Sequence, residues 1–300
     1  MNRAPSRPDL GSNLILYTQT AQRSAACVIR EYSTSFGMAT RLFDRGVRPE
    51  IRNIYGLVRI ADEIVDGAAS EAGLDVDAQR EQLDALEQET ESAVRIGYST
   101  NLVVHSFAIT ARAAGIGADI IAPFFASMRR DLSPAPFTPE EVREYIYGSA
   151  EVVGLMCLRV LLKDHELSEG VRERLEQGAC RLGAAFQKIN FLRDLSADWQ
   201  DLGRNYFPTI DPAHLTEAQK LELIADIDAD LAEAASAIPL LPREGRPAIA
   251  AAHGLFSALT QQVRATPAEK LLRTRISVGN RAKLGIVLRT MSGRVVRSAL

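Results

Sequence analysis

The chain is poor in several features that mark common protein classes. It has 3 cysteines in 300 residues, Cys27, Cys157 and Cys180, widely spaced and with no C-x-x-C pair. That argues against a disulfide framework and against a structural zinc site, and it fits a reduced compartment. Aromatic residues make up only 6% of the chain, whereas Ala and Leu are abundant, a balance that suits helices better than sheets. The formal net charge is −3, so the whole chain carries no basic signature of a nucleic-acid binder. Long apolar runs are also missing. Ile120–Met128 and Val152–Leu162, the latter interrupted by Arg159, fall short of the ~20 residues a bilayer span demands. No GxGxxG fingerprint occurs. None of His105, His165, His214 and His253 sits in a triad or metal-binding spacing.

What is present is ordinary globular composition, 46% apolar and 24% charged. Residues 1–13 lack the apolar region of a secretory signal and read as a disordered leader. Residues 14–300 read as a single helical domain, an all-α bundle around a central cavity. Helices are expected near Asn13–Tyr32, Pro49–Asp66, Asp77–Gly97, Thr100–Ala114, Ala118–Asp131, Pro139–Leu162, Ser168–Gln200, Thr216–Ala237, Arg246–Ala265 and Pro267–Met291. Capping boxes are predicted at Thr138/Glu141 and Thr216/Gln219. The charge is uneven. From Arg264 to Leu300 there are nine Lys or Arg against the single acid Glu269, which makes this tail +8 and leaves −11 elsewhere. Such a tail suits a solvated face, an anionic membrane surface or a diphosphate clamp.

Two acidic clusters carry the chemistry. In the first, Asp62 and Asp66 are four residues apart and share a helix face, with Glu63 beside them and Arg59 one turn before. Like charges at that spacing cost stability unless something compensates, and a divalent cation would do so. Hard oxygen ligands suit Mg²⁺, with Mn²⁺ as a substitute. Alone, the pair equally fits a solvated helix face. In the second cluster Gln187, Asn190, Asp194 and Asp198 form a polar stripe beside apolar Ile189, Leu192 and Leu195, and Arg193 offers a fork for phosphate. An amide oxygen binds a metal without adding repulsion. Two such helices acting together would hold metal ions that neutralise a diphosphate.

Five segments in order carry a resemblance to the squalene/phytoene synthase family, from about Tyr32 to Arg289. They are YSTSF at Tyr32–Phe36, YGLVRIADEIVD at Tyr55–Asp66, MRRDL at Met128–Leu132, YIYGSAEVVGLM at Tyr145–Met156, and QKINFLRDLSADWQDLGRNYFP at Gln187–Pro208. The last is the most specific. The resemblance implies an isoprenoid-synthase fold with two aspartate-rich motifs at the mouth of a cavity. Asp62, Asp66, Asn190, Asp194 and Asp198 match the metal ligands. Arg59, Arg193, Ser33, Ser35, Tyr55 and Tyr145 match positions near the diphosphates, and Gln187, Arg204, Tyr206 and Arg275 join the substrate set. Phe36, Leu57, Ala150, Val153, Gly154, Leu155, Ala184, Phe191 and Leu192 are candidate wall residues. Two departures stand out: Glu151 replaces a family glycine, and Phe256 stands where a family tyrosine is expected. The wording is most similar to bacterial phytoene synthases of carotenoid biosynthesis. That implies Mg²⁺-dependent head-to-head condensation of two geranylgeranyl diphosphates without NADPH. Squalene or dehydrosqualene synthesis from farnesyl diphosphate is the alternative, and a non-catalytic helical scaffold is the remaining one. The expected partners are prenyl diphosphates and, transiently, a membrane surface. The expected location is cytoplasmic, with peripheral membrane contact.

Overall fold

A computed structural model describes residues 10–33, 35–133, 135–200, 205–272 and 286. The side chains of 10–12, 35–36, 196–200 and 212 fall outside that description. Among the described residues there is no strand. The helices are α1 (Leu10–Tyr32), α2 (Ser35–Thr40), α3 (Arg48–Asp66), α4 (Ala68–Glu71), α5 (Val76–Ile96), α6 (Leu102–Ala114), α7 (Ala118–Asp131), α8 (Pro139–Ile146), α9 (Val152–Leu162), α10 (Glu169–Gln200), α11 (Glu217–Ala237), α12 (Arg246–Ala265) and α13 (Ala268–Leu271). The all-α expectation holds. Of the expected leader, residues 1–9 lie outside the described residues. Of the expected last helix, only its first turn and Ile286 lie within them.

Local chemistry sets most boundaries. Both predicted capping boxes form: Thr138 with Glu141 opens α8, and Thr216 with Gln219 opens α11. Asp75 and Asn101 cap α5 and α6 with their side-chain oxygens. Gly97 and Gly115 end the same two helices at φ +82° and +67°, a left-handed turn that a side chain would strain.

The expected single helix Pro139–Leu162 is interrupted by a wide π turn at Tyr147–Glu151. The cause is a close helix crossing. A Cβ on Gly148 would lie 2.2 Å from the Pro123 carbonyl oxygen and from Ser127 Oγ. The Tyr145 carbonyl also accepts hydroxyl bonds from Ser149 at 2.6 Å and Ser127 at 3.2 Å. On the other side Gly183 of α10 meets the Ala150 carbonyl, and Gly154 meets that of Ala179. Small residues therefore let α7, the π turn and α10 stack closely. Read as one 24-residue unit, Pro139–Leu162 holds an 18-residue window of mean hydropathy 1.5 and is by length and composition apolar enough to cross a bilayer. The separate reading of Val152–Leu162 hid that length. Just over half of that window is buried inside the protein, as expected for a core helix.

Two apolar cores result. One joins Ile54, Leu57, Ala61 and Val65 of α3 to the inner faces of α5, α6, α7 and α9. The other gathers Ile189, Leu192 and Leu195 of α10 with residues of α11, α12 and α13. Both α3 and α10 pack on α9, which is their shared neighbour.

Candidate active site

The first acidic motif lies on the face of α3 turned away from its core. Arg59 is its hub. The guanidinium donates to Asp62 Oδ2 at 2.7 Å and pairs with Glu63, while its face rests 4.4 Å from the centre of the Tyr32 ring. Glu63 also accepts from the Ala68 amide at 2.9 Å, which ties it to the start of α4. Tyr55 joins the group from one turn back. Burial pushes its phenol pKa up, and the Ser33 hydroxyl and Arg59 oppose that shift. The structure thus brings Ser33, Tyr55, Arg59 and Asp62 together, as the sequence suggested. Asp66 follows on the same helix and is exposed.

The second motif repeats the pattern on α10. Arg193 donates through Nε to Asp194 Oδ1 at 2.9 Å, and a second guanidinium nitrogen engages Oδ2. Arg193 is thus forked onto the one carboxylate of Asp194, whereas Arg59 bridges those of Asp62 and Glu63, so each motif holds an arginine on its own acids. Gln187, Asn190, Arg193 and Asp194 are half-buried beside the packed Ile189, Leu192 and Leu195. Asn190 Oδ1 is buried and accepts no hydrogen bond from the described residues. An unpaired buried amide oxygen costs ~1–3 kcal/mol, so its position fits a cation or donor supplied by something bound there. Among the described residues no three His, Cys, Asp or Glu side chains converge as a metal cluster. The Asp198 and Ser35 side chains, Arg204 and Arg275 lie outside the described residues.

A third element went unrecognised as a site in the sequence. Asp131, the acid of MRRDL, is only 7% exposed. It accepts from the Tyr145 hydroxyl at 3.0 Å and from Tyr206 at 3.4 Å. Phe191 stacks on Tyr206 with ring centres 4.0 Å apart, and Phe137 packs against both tyrosines. Burial, then the nearby Asp131, raises the Tyr145 pKa well above its ordinary value. The phenol therefore stays a hydrogen-bond donor at neutral pH. Tyr145 and Tyr206 are thus anchored inward on Asp131. Of the proposed wall residues, Leu57, Ala150, Ala184, Phe191 and Leu192 are packed in the cores.

The departures have local explanations. The Glu151 carboxyl closes the π turn against Cys180 and Arg181 of α10, and burial raises its pKa. Phe256 packs its ring 4.6 Å from that of Phe186. Burial drives the Cys157 and Cys180 thiols up to about 12, which leaves neither as a ready nucleophile. His105 is enclosed by Thr18, Tyr17 and Tyr98, and His253 bonds the Leu231 carbonyl, so both serve packing.

Comparison with known proteins matches this arrangement. The squalene/phytoene synthase family profile covers residues 29–282. The chain belongs to the squalene/phytoene synthase family. It is 27% identical over 274 residues to the 15-cis-phytoene synthase of Paracoccus sp. (strain N81106), spanning 86% of this chain and 87% of that protein. It is 32% identical over 182 residues to the phytoene synthase of Pseudescherichia vulneris, spanning 59% of this chain and 56% of the relative. The fold is similar to a crystal structure of a dehydrosqualene synthase in complex with ligand. The TM-score is 0.69 at 21% identity, over 92% of this chain and 97% of that one. Family membership makes the chain a prenyltransferase-type enzyme of the isoprenoid class.

Proposed function

We propose that the chain is a phytoene synthase, joining two geranylgeranyl diphosphates head to head in carotenoid biosynthesis. The observation that carries this reading is the pairing of an arginine with motif carboxylates on both α3 and α10, in a chain whose bacterial relatives are phytoene synthases. The condensation forms a cyclopropylcarbinyl diphosphate with loss of one diphosphate and one proton. Its rearrangement to phytoene expels the second diphosphate and a second proton, with no hydride required.

Asp62 and Asp66 on α3, and Asn190, Asp194 and Asp198 on α10, are the residues that would hold Mg²⁺ or Mn²⁺. When bound, the cation supplies positive charge to the leaving diphosphate. Arg59 and Arg193 do the protein's part of that task. Each exchanges its own carboxylate for diphosphate oxygens when substrate arrives, a swap between two charge-assisted partners. Tyr55 and Ser33 brace Arg59 from one side, and the Tyr32 ring from the other. Asp131 orients the Tyr145 and Tyr206 hydroxyls and keeps them inside the protein. The apolar faces of α9 and α10 shield the allylic cation from water, which would otherwise quench it. The forty-carbon product is apolar, so contact with a membrane surface follows, and the basic tail favours an anionic one.

The test is product analysis. Purified protein is incubated with Mg²⁺ and either geranylgeranyl or farnesyl diphosphate, with and without NADPH. A forty-carbon hydrocarbon formed without NADPH is the expected result. A thirty-carbon hydrocarbon from farnesyl diphosphate alone would move the enzyme to the squalene or dehydrosqualene branch.

A further inference from the structure

A concavity of about 230 Å³ lies between α1 and α3, lined by Gln19, Gln22, Arg23, Ala26, Pro49 and Arg52. It contains no residue of either acidic motif. Several described arginines, such as Arg172 and Arg174, project alone into solvent, but Arg23 and Arg52 line one concavity. Arg59, Arg129, Arg159, Arg193 and Arg264 are each held by a carboxylate. Arg23 and Arg52 have no ion-pair or hydrogen-bond partner among the described residues, and Arg52 Nε is buried without an acceptor. The neighbourhood worsens the imbalance. Burial, then Arg48 and Arg41, lowers the Arg52 pKa, a sign of uncompensated positive charge. Arg48 donates to the Arg41 and Phe43 carbonyls, and the nearby acid Glu50 is bound to Lys163 at 2.5 Å. A guanidinium pair flanked by two amides is chemically matched to a phosphate oxyanion.

The same face of α1 offers apolar surface. Ile15, Gln19, Gln22 and Ala26 recur at helical spacing, so Ile15 extends the stripe that lines the concavity. Leu14, Ile15 and Leu16 are 51%, 60% and 60% exposed. The helical rise from Ile15 to Arg23 is ~12 Å. Three exposed aliphatic side chains about two turns along α1 from Arg23 resemble an interfacial anchor, in which apolar groups enter the acyl boundary and cations meet headgroups. A soluble phosphate would make no use of the aliphatic turn. We propose that the Leu14–Leu16 turn and the Arg23–Arg52 concavity form a docking surface for an anionic phospholipid bilayer, with the arginines taking a headgroup phosphate. This surface is separate from the diphosphate site and from the basic tail, and it does not depend on which prenyl diphosphate is used.

The test is flotation of the full chain with vesicles of phosphatidylcholine, with or without phosphatidylglycerol. Wild type should float with the anionic vesicles. Arg23→Gln/Arg52→Gln should lower the partition coefficient about thirtyfold, from roughly one basic contact's worth of attraction per arginine. Arg172→Gln/Arg174→Gln removes the same charge from an exposed part of α10 and should partition like wild type. In wild type, vesicles should protect the backbone amides around Leu14–Arg23 from hydrogen exchange, a readout that needs no variant. The proposal is overturned if the two double variants lose binding equally, if the concavity variant binds like wild type, or if exchange protection is confined to the tail. It is also overturned if calorimetry shows the arginines binding inorganic diphosphate while anionic vesicles fail to capture the chain.

Discussion

Tyr145 is the most exacting place to perturb this protein. Its hydroxyl donates to Asp131 Oδ2 at 3.0 Å in a fully packed setting, whereas Tyr206 reaches Oδ1 only at 3.4 Å. A hydrogen bond to a charged group contributes ~1.5–3 kcal/mol net, and a long one contributes less. Tyr145→Phe keeps the ring and its contacts with Phe137 and Tyr206, so it isolates the hydroxyl. It should cost ~2 kcal/mol in urea unfolding, and Tyr206→Phe less than ~1 kcal/mol. The double variant should cost more than the sum, because Asp131 then loses both phenolic donors while remaining buried. The pH dependence follows from linkage. The folded Tyr145 pKa is raised above the unfolded value, so its contribution is complete below about pH 10 and declines as pH rises toward the folded value. Wild type should therefore lose stability above about pH 10, and Tyr145→Phe should flatten that decline. Equal losses from the two single variants, or an unchanged alkaline slope in Tyr145→Phe, would refute the reasoning.

Three further outcomes are expected. Arg59→Lys and Arg193→Lys keep the charge but lose the fork, and each should lower kcat by ~10²-fold with intact helicity, measured by diphosphate release and circular dichroism. Gly148→Ala drives a methyl into the Pro123 carbonyl and should cost at least ~3 kcal/mol, whereas Gly170→Ala meets nothing and should gain up to ~1 kcal/mol in helix propensity, both read by chemical denaturation. Lys220 is fully buried and donates to the Arg264 and Thr266 carbonyls at 3.0 and 2.6 Å, so Lys220→Met should destabilise the chain by ~1–3 kcal/mol and lower Tm.

The parts legible in the sequence were those set by nearby residues. The capping boxes at Thr138 and Thr216 were readable because cap and acceptor lie three residues apart. The polar stripe from Gln187 to Asp198 was readable because helical spacing places it on one face. The π turn was not, because its cause is Gly148 pressed on Pro123, a contact between separate helices. Asp131 escaped notice for the same reason. Its partners Tyr145 and Tyr206 are 14 and 75 residues away, and nothing local marks them as its own. The arginines of α3 and α10 were assigned to phosphate only through the resemblance. That each is first engaged by its own carboxylate required coordinates.

The central claim is that the α3 and α10 motifs act on diphosphate as one unit. The direct measurement is the rate of diphosphate release from geranylgeranyl diphosphate by wild type, Asp62→Asn, Asp194→Asn and the double variant, each with Mg²⁺ and after chelation. A single unit predicts that either substitution alone removes nearly all of the Mg²⁺-dependent rate and that the double variant is scarcely worse than either. Near-wild-type release by one single variant, or losses that multiply as for independent sites, would contradict it.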